Sequence, residues 1–316
     1  MKKLLVTGGA GFIGINFIKH IMSVDSVDIV VADKFTYASN PKELVNKMKI
    51  KTHCIDLANK VEVEDLFKKH EISHIVHFAA ESHVDRSIED CQPFVQSNIV
   101  GTINLLDQAV KSKIEKFVHI STDEVFGEVP YPGKFNEYSN LCPRNPYSAS
   151  KASAENFVQA YGNTYDLPYT IVNCSNNYGP WQYPEKFIPV TIGRILQNKK
   201  IPVYGRGDQI REWIYVKDAI EAIRLVLQHG KIHDRYCIGS GIEVKNIDLV
   251  RTILSKMNAN ESLIEYVADR PGHDKRYAMS ADKIINELNW TTKYNLSDGL
   301  DETIEWIKNH ENRIQL

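Results

Sequence analysis

One run near the start constrains this chain more than any other: Val6-Thr7-Gly8-Gly9-Ala10-Gly11-Phe12-Ile13-Gly14. It joins a short apolar stretch at residues 3–7 to a helix-like periodic segment at 12–22. Glycines at 8, 11 and 14 have Gly-x-x-Gly-x-x-Gly spacing. Such spacing permits a sharp strand-to-helix turn, brings backbone N–H groups close to a pyrophosphate, and lets the helix approach the strand. An ordinary tight turn can look the same, so context decides. Asp33 supplies it by ending the next predicted strand about 20 residues on, where a carboxylate accepts hydrogen bonds from an adenine ribose. A carboxylate there repels a 2′-phosphate and favours NAD over NADP, although Lys34 beside it adds an opposing charge. Asp56, after the third strand, reads either as an adenine contact or as a helix cap.

The rest of the first half repeats that rhythm. Residues 3–7, 28–32, 51–55, 74–78, 117–121 and 169–174 read as strands, with helical patterns at 12–22, 61–69, 93–111 and 149–165 between them. Nearly continuous apolar strands alternating with helices predict an α/β fold, a Rossmann-like doubly wound parallel sheet buried on both faces. After about Asn176 the rhythm breaks at Asn176-Asn177-Tyr178-Gly179-Pro180. We expect a smaller, mixed α/β lobe there. Residues 1–179, with a returning segment at about 217–248, form the dinucleotide domain, and 180–216 with 249–316 form the lobe.

Composition removes several classes. Lys plus Arg total 38 against 40 for Asp plus Glu, a net charge of −2, which gives no general attraction to nucleic acid or membranes. Five cysteines cannot all pair, and none lies in a C-x-x-C or zinc-like spacing, so neither a disulfide framework nor a metal site is expected. No secretory or membrane-length apolar run is present, and a cytoplasmic location is the expectation.

Chemistry appears in two further segments. In Tyr147-Ser148-Ala149-Ser150-Lys151, which opens a helix after Pro146, the tyrosine and lysine are four apart and share a face. An ammonium near a phenol favours the phenolate, so Tyr147 is a candidate base for a hydroxyl proton beside a nicotinamide. In Ser121-Thr122-Asp123-Glu124-Val125-Phe126-Gly127, two adjacent carboxyls stand at a strand's carboxyl end, where ligands sit in such sheets. An isolated Asp-Glu pair is usually a solvated loop. Between the glycine and tyrosine segments, the pair suits elimination of water, one group taking a proton and the other giving one.

The glycine run and the Tyr-Ser-Ala-Ser-Lys run together resemble the extended short-chain dehydrogenase/reductase superfamily. Over nearly the whole chain the resemblance narrows to the dTDP-glucose 4,6-dehydratases. It is carried by Asp33-Lys34-Phe35-Thr36-Tyr37-Ala38-Ser39-Asn40, by residues 78–87, by the 176–180 and 184–189 segments, by 202–205 and 209–213, and by Asp269-Arg270-Pro271-Gly272-His273-Asp274. The resemblance implies NAD, dTDP-glucose as substrate, oxidation at C4, loss of water across C5–C6, hydride return to C6, a deoxysugar precursor as product, and a homodimer.

It also implies roles by position. Asp123 is the expected proton donor to the C6 hydroxyl, Glu124 the C5 base and Tyr147 the C4-hydroxyl base, with Thr122 and Lys151 as its partners. Gly8, Gly11, Phe12, Ile13, Gly14, Asp33, Lys34, Phe35, Thr36, Asp56 and Leu57 are expected at the cofactor. Phe78, Ala79, Ala80, Glu81, Ser82, Ser97 and Asn177 complete that set. Ser82, Thr122, Asn176, Lys186, Phe187, Pro202, Val203, Tyr204, Arg211 and Asn246 are expected at the nucleotide-sugar, with Asp269, Arg270, Pro271, Gly272 and His273.

Three residues depart from the pattern: Phe126 where Tyr is expected, Ser97 where Thr is usual, and Ile15 in place of a smaller residue. Ala152, Phe157 and Ala160 suit either a dimer interface or the intrachain core. The residues leave other readings open: a 4,6-dehydratase, epimerase or decarboxylase acting on a UDP-, GDP- or CDP-linked sugar, and a non-catalytic NAD-binding sensor or scaffold.

Overall fold

Strand β1 (Lys3–Thr7) lies between β2 (Asp28–Asp33) and β4 (His74–His77), pairing in parallel with both. The computed structural model describes residues 3–310. Outward from β2 lies β3 (Lys51–Cys54). Outward from β4 lie β5 (Lys116–Thr122), β6 (Tyr169–Cys174) and finally β10 (Asp234–Ile238). The sheet has seven strands in the order β10-β6-β5-β4-β1-β2-β3, all parallel. The order reverses at β1, and ligands of such sheets bind in the crevice at that point.

Alternation along the strands builds two cores. Leu4, Val6, Val118 and Ile120 face helices Phe12–Val24 and Val216–His229. Leu5, Ile75 and Phe117 face helices Lys60–Lys69, Gly101–Lys111 and Pro146–Tyr165. Lys116, at the start of β5, is buried and donates to the carbonyls of Val226 (2.6 Å) and Gly230 (2.5 Å), satisfying the end of helix Val216–His229. The helix expected at 93–111 contains an i→i+5 segment, Val95–Val100.

The lobe grows directly out of β6. Strand β7 (Asn176–Tyr178) pairs with β9 (Ile210–Tyr215), which pairs with β11 (Glu243–Lys245). A separate parallel pair joins β8 (Ile201–Tyr204) to β12 (Ile264–Val267). Helices Phe187–Leu196, Asn246–Lys256 and Leu296–Lys308 cover these strands over Tyr178, Trp213, Ile253 and Leu300. Met1, Lys2 and residues 311–316, the start of the first expected domain and the end of the lobe, lie outside the described residues.

Of the three apolar positions left between core and interface, Ala152 is core, packed with Val125, Phe126 and Met279, whereas Phe157 and Ala160 are exposed. Ile15 is fully buried, and Phe126 packs on Phe135 in an apolar cluster, with the Arg235 guanidinium 5.5 Å from its ring. Among the described residues, no helix is long and apolar enough to cross a membrane, and no three side chains are grouped to hold a metal ion.

Candidate active site

The cleft opens where the glycine turn leaves β1. Gly8 has φ +67°, and a Cβ there would lie 2.5 Å from the backbone nitrogen of Ala79. A Cβ on Gly14 would lie 2.4 Å from the carbonyl oxygen of Gly8. Only glycine lets β1, the turn and the segment after β4 close to this distance. Helix Phe12–Val24 therefore starts at the cleft floor with no side-chain cap on its first N–H groups.

Along the cleft lie Gly8, Gly11, Phe12, Ile13, Gly14, Asp33, Lys34 and Thr36, then Asp56, Leu57, Phe78, Ala79, Ala80, Glu81, Ser82 and Ser97, and at the far end Tyr147, Lys151 and Lys186. This elongated, glycine-floored trough with an acid at one end and a Tyr–Lys pair at the other fits a dinucleotide. Asp33 does more than expected of it. Its carboxylate already accepts from Ala10 N (2.9 Å), Phe35 N (2.8 Å) and Ser39 Oγ (2.9 Å). That leaves about one of its roughly four lone-pair sites for a ribose hydroxyl. Lys34 is tied to Asp56 at 2.6 Å, which directs the opposing charge noted beside Asp33 towards another carboxylate.

Two expected cofactor residues do not line the cleft. Phe35 has a left-handed backbone (φ +54°) and packs against the core that Phe17 and Val31 occupy. Asn177 turns its amide to Ser175 O (2.9 Å), and its own carbonyl oxygen holds Gln182 Nε2 (2.9 Å), which does reach the cleft. Tyr37, Ser39, Ser121, Gln182, Tyr183 and Glu185 line it too and were not anticipated. Gln182 and Tyr183 come from the lobe just before the 184–189 segment, and Glu185 lies inside that segment beside Lys186. Asn98, also unanticipated, accepts from Glu81 N (2.8 Å) and donates to Ser150 Oγ (2.8 Å), tying the cleft wall to the Tyr147 helix.

That helix starts cleanly. Asn145 caps it reciprocally with Ser148, and Pro146 occupies its first turn. Lys151 is buried and donates to Ile120 O at 2.7 Å, and burial lowers its pKa to about 8. Tyr147 differs from expectation: its phenol is raised, first by burial and then by the charges of Glu124 and Asp123, while a hydrogen bond with Thr122 pulls the other way. Burial and the two acids, rather than the Lys151 ammonium, dominate at this phenol.

The two carboxyls sit on a 3-10 turn, Asp123–Phe126, capped by Thr122, whose Oγ1 accepts from Glu124 N (3.2 Å) and donates to Asp123 Oδ1 (3.1 Å). Their surroundings differ. Asp123 is 1% exposed with Oδ2 unpartnered, and burial, then Glu124 and Glu212, raise its pKa strongly. Glu124 is only half-buried; burial raises its pKa, but Arg270, Arg211, Asn145 and Lys186 oppose it. Both carboxyls are thus held above the usual carboxylate range, Asp123 the more strongly because Glu124 and Glu212 add to its burial, while more cations oppose the rise at Glu124.

Beyond them the lobe contributes a polar wall. Lys186 donates to Ser82 O (2.7 Å), and Phe187 stacks on Trp213 at 6.2 Å. Arg270 and Tyr204 reach Asp85 at 3.5 and 3.2 Å, and His273 pairs with Asp269 at 2.6 Å. Gly272 turns the chain there with φ +65°, after Pro271. Arg211 is buried over the Tyr277 ring (4.3 Å), with part of its fork on Ile210 O and Asp274 O. Asn176 and Asn246 each keep a buried side-chain oxygen without a partner. Val203 is the exception: strand alternation turns it into the core with Ile247 and Val250, leaving Pro202 and Tyr204 on the outer face.

A Rossmann-like sheet with this trough, a Tyr–Lys pair and an acid pair facing a cationic wall defines a sugar-nucleotide-modifying enzyme of the short-chain dehydrogenase/reductase type. Residues 5–303 match the family model described as GDP-mannose 4,6 dehydratase. The dTDP-glucose 4,6-dehydratase of Shigella flexneri is 42% identical, the alignment covering 99% of this chain and 94% of that protein. The low-salt glycan biosynthesis protein Agl12 of Haloferax volcanii is 44% identical, covering 96% and 97%. DesIV, a dTDP-glucose 4,6-dehydratase from Streptomyces venezuelae solved with NAD and TYD bound, superposes with a TM-score of 0.95 at 38% identity, covering 99% of both chains. The chain belongs to the GDP-mannose 4,6 dehydratase family and, within it, to the dTDP-glucose 4,6-dehydratases.

Proposed function

We propose that this chain is an NAD-dependent hydro-lyase that converts dTDP-glucose to dTDP-4-keto-6-deoxy-glucose. The observation that carries the reading is the unequal acid pair: buried Asp123 with a free Oδ2, beside Glu124 under cationic influence. An epimerase needs no group to expel the C6 hydroxyl.

NAD, when bound, supplies the acceptor for hydride from C4 and its later donor to C6. Tyr147 takes the C4 hydroxyl proton, with Lys151 held beside it by Ile120 O. The C4 ketone acidifies the C5–H, and Glu124 removes that proton. Asp123, whose neutral form is favoured by burial, delivers a proton to the C6 oxygen and water leaves. Glu124 then returns its proton to C5. The proton left on Tyr147 equals the one Asp123 gave up, so the cycle closes with loss of one water and no net redox change. The lobe shields the site from bulk water. Arg211, Lys186 and Arg270 hold the diphosphate side by charge. We also propose a homodimer through the exposed face of helix Pro146–Tyr165 that carries Phe157 and Ala160, and a cytoplasmic location.

The test is incubation with dTDP-glucose and NAD, followed by NMR detection of a 6-deoxy methyl group. Asp123→Asn and Glu124→Gln should each lose about 10²-fold or more in kcat while retaining NAD. Undiminished turnover in both variants overturns the assignment of the pair.

A further inference from the structure

Glu155 lies one turn beyond Lys151 on the Tyr147 helix and is fully buried. Its Oε2 lies 2.6 Å from Arg235 Nη2 on β10, and its Oε1 accepts from Asn173 Nδ2 on β6 at 2.8 Å. Arg235 Nη1 donates to Asn173 Oδ1 at 2.7 Å. The three side chains form a closed polar ring across three elements, and Asn173 and Glu155 are 0% exposed. A buried ion pair is seldom a source of stability, because apolar groups of the same volume do as well or better. What such a ring can supply is fixed geometry.

The ring has one further hydrogen bond, from Asn173 Nδ2 to Thr122 O at 3.0 Å. Thr122 caps the turn that carries Asp123 and Glu124. The ring therefore joins the helix bearing Tyr147 and Lys151 to the strand end bearing the two acids. In the mechanism above, the first pair serves oxidation at C4 and the second serves elimination across C5 and C6. We propose that Asn173, held by Glu155 and Arg235, is a positioning residue that sets the spacing between the oxidising and eliminating halves of the site. This rests on the dehydratase reading.

Asn173→Ala cuts the link to Thr122 and leaves the Arg235–Glu155 pair in place. With NAD and dTDP-glucose, the variant should keep KM within about twofold and lose roughly tenfold in kcat, as expected when orientation alone is disturbed. Its signature is partition: elimination slows more than oxidation, so reduced nicotinamide accumulates at 340 nm, whereas the wild type shows none. Glu155→Gln keeps an oxygen for Asn173 but strands the Arg235 guanidinium, so it should lower the thermal midpoint without that accumulation. A purely structural ring predicts loss of folded protein in both variants with unchanged partition. Unchanged partition in Asn173→Ala, or equal accumulation in Glu155→Gln, overturns the proposal. A wild type that forms no 6-deoxy product overturns the dehydratase reading instead, so the two failures are told apart.

Discussion

Asp123 shows at the scale of one residue how function and stability oppose each other. Its raised pKa means that the folded chain prefers the neutral acid. By linkage, its contribution is most favourable below the unfolded value near 3.8 and is lost as pH rises through the folded value. Asp123→Asn should therefore raise the thermal midpoint at pH 8 and change it little near pH 4, even though it disables elimination. A calorimetric series over that range checks this, and a gain that is the same at both ends contradicts it. The Thr122-Asp123-Glu124 and Tyr147–Lys151 groups were legible in the sequence because each is a local cluster beside a strand end or on one helix face. Phe35 and Val203 were misplaced because neighbours in a motif need not face the same way; a left-handed φ turned one inward and strand alternation the other. Asn173, Glu155 and Arg235 gave no signal because no two of them are neighbours in sequence.

Among elements, helix Val216–His229 depends on a residue a hundred positions earlier. Lys116→Met would leave the carbonyls of Val226 and Gly230 without the buried donor they now share. Val226 O keeps the Gly230 N–H at 2.9 Å, so the expected cost is about 1–3 kcal/mol for the Gly230 carbonyl left unsatisfied. It should appear as a lower denaturant midpoint at unchanged m, and no shift would show that water replaces the ammonium freely. The six parallel strands predicted before Asn176 appear within two residues of their expected ends, since each is an apolar run flanked by turn residues. The i→i+5 segment at Val95–Val100 and the β8–β12 pairing were not legible. The first needs tertiary contacts such as Asn98 with Glu81, and the second joins strands about sixty residues apart.

For the whole molecule, the two parts of the cleft are tied across its mouth. Glu185, from the lobe, accepts from Tyr37 Oη and Arg86 Nη2, each at 3.0 Å, and Arg86 lies 4.0 Å over the Tyr37 ring. Cutting these ties with Glu185→Ala should speed NAD dissociation roughly two- to fivefold at low salt, as expected for partly exposed pairs. The effect should shrink as ionic strength rises. Stopped-flow dissociation measured at two salt concentrations tests this; an unchanged off-rate at low salt means that the cleft opens elsewhere. The net charge of −2 gives no hint of this clasp, which depends on where single charges fall.

Strand β10 has a consequence for how the protein is made. It is an edge of the seven-stranded sheet, yet it spans Asp234–Ile238, and β6, which it covers, ends at Cys174. While the ribosome is still adding the residues between them, β6 has a bare edge, and Glu155 faces no guanidinium. An unfinished chain therefore displays an unpaired apolar strand for part of its synthesis, the kind of template on which nascent chains stick to one another. Stalling translation just before Arg235 should give a nascent chain that recruits chaperones, and extending synthesis until Asp234–Ile238 has left the ribosome should free it.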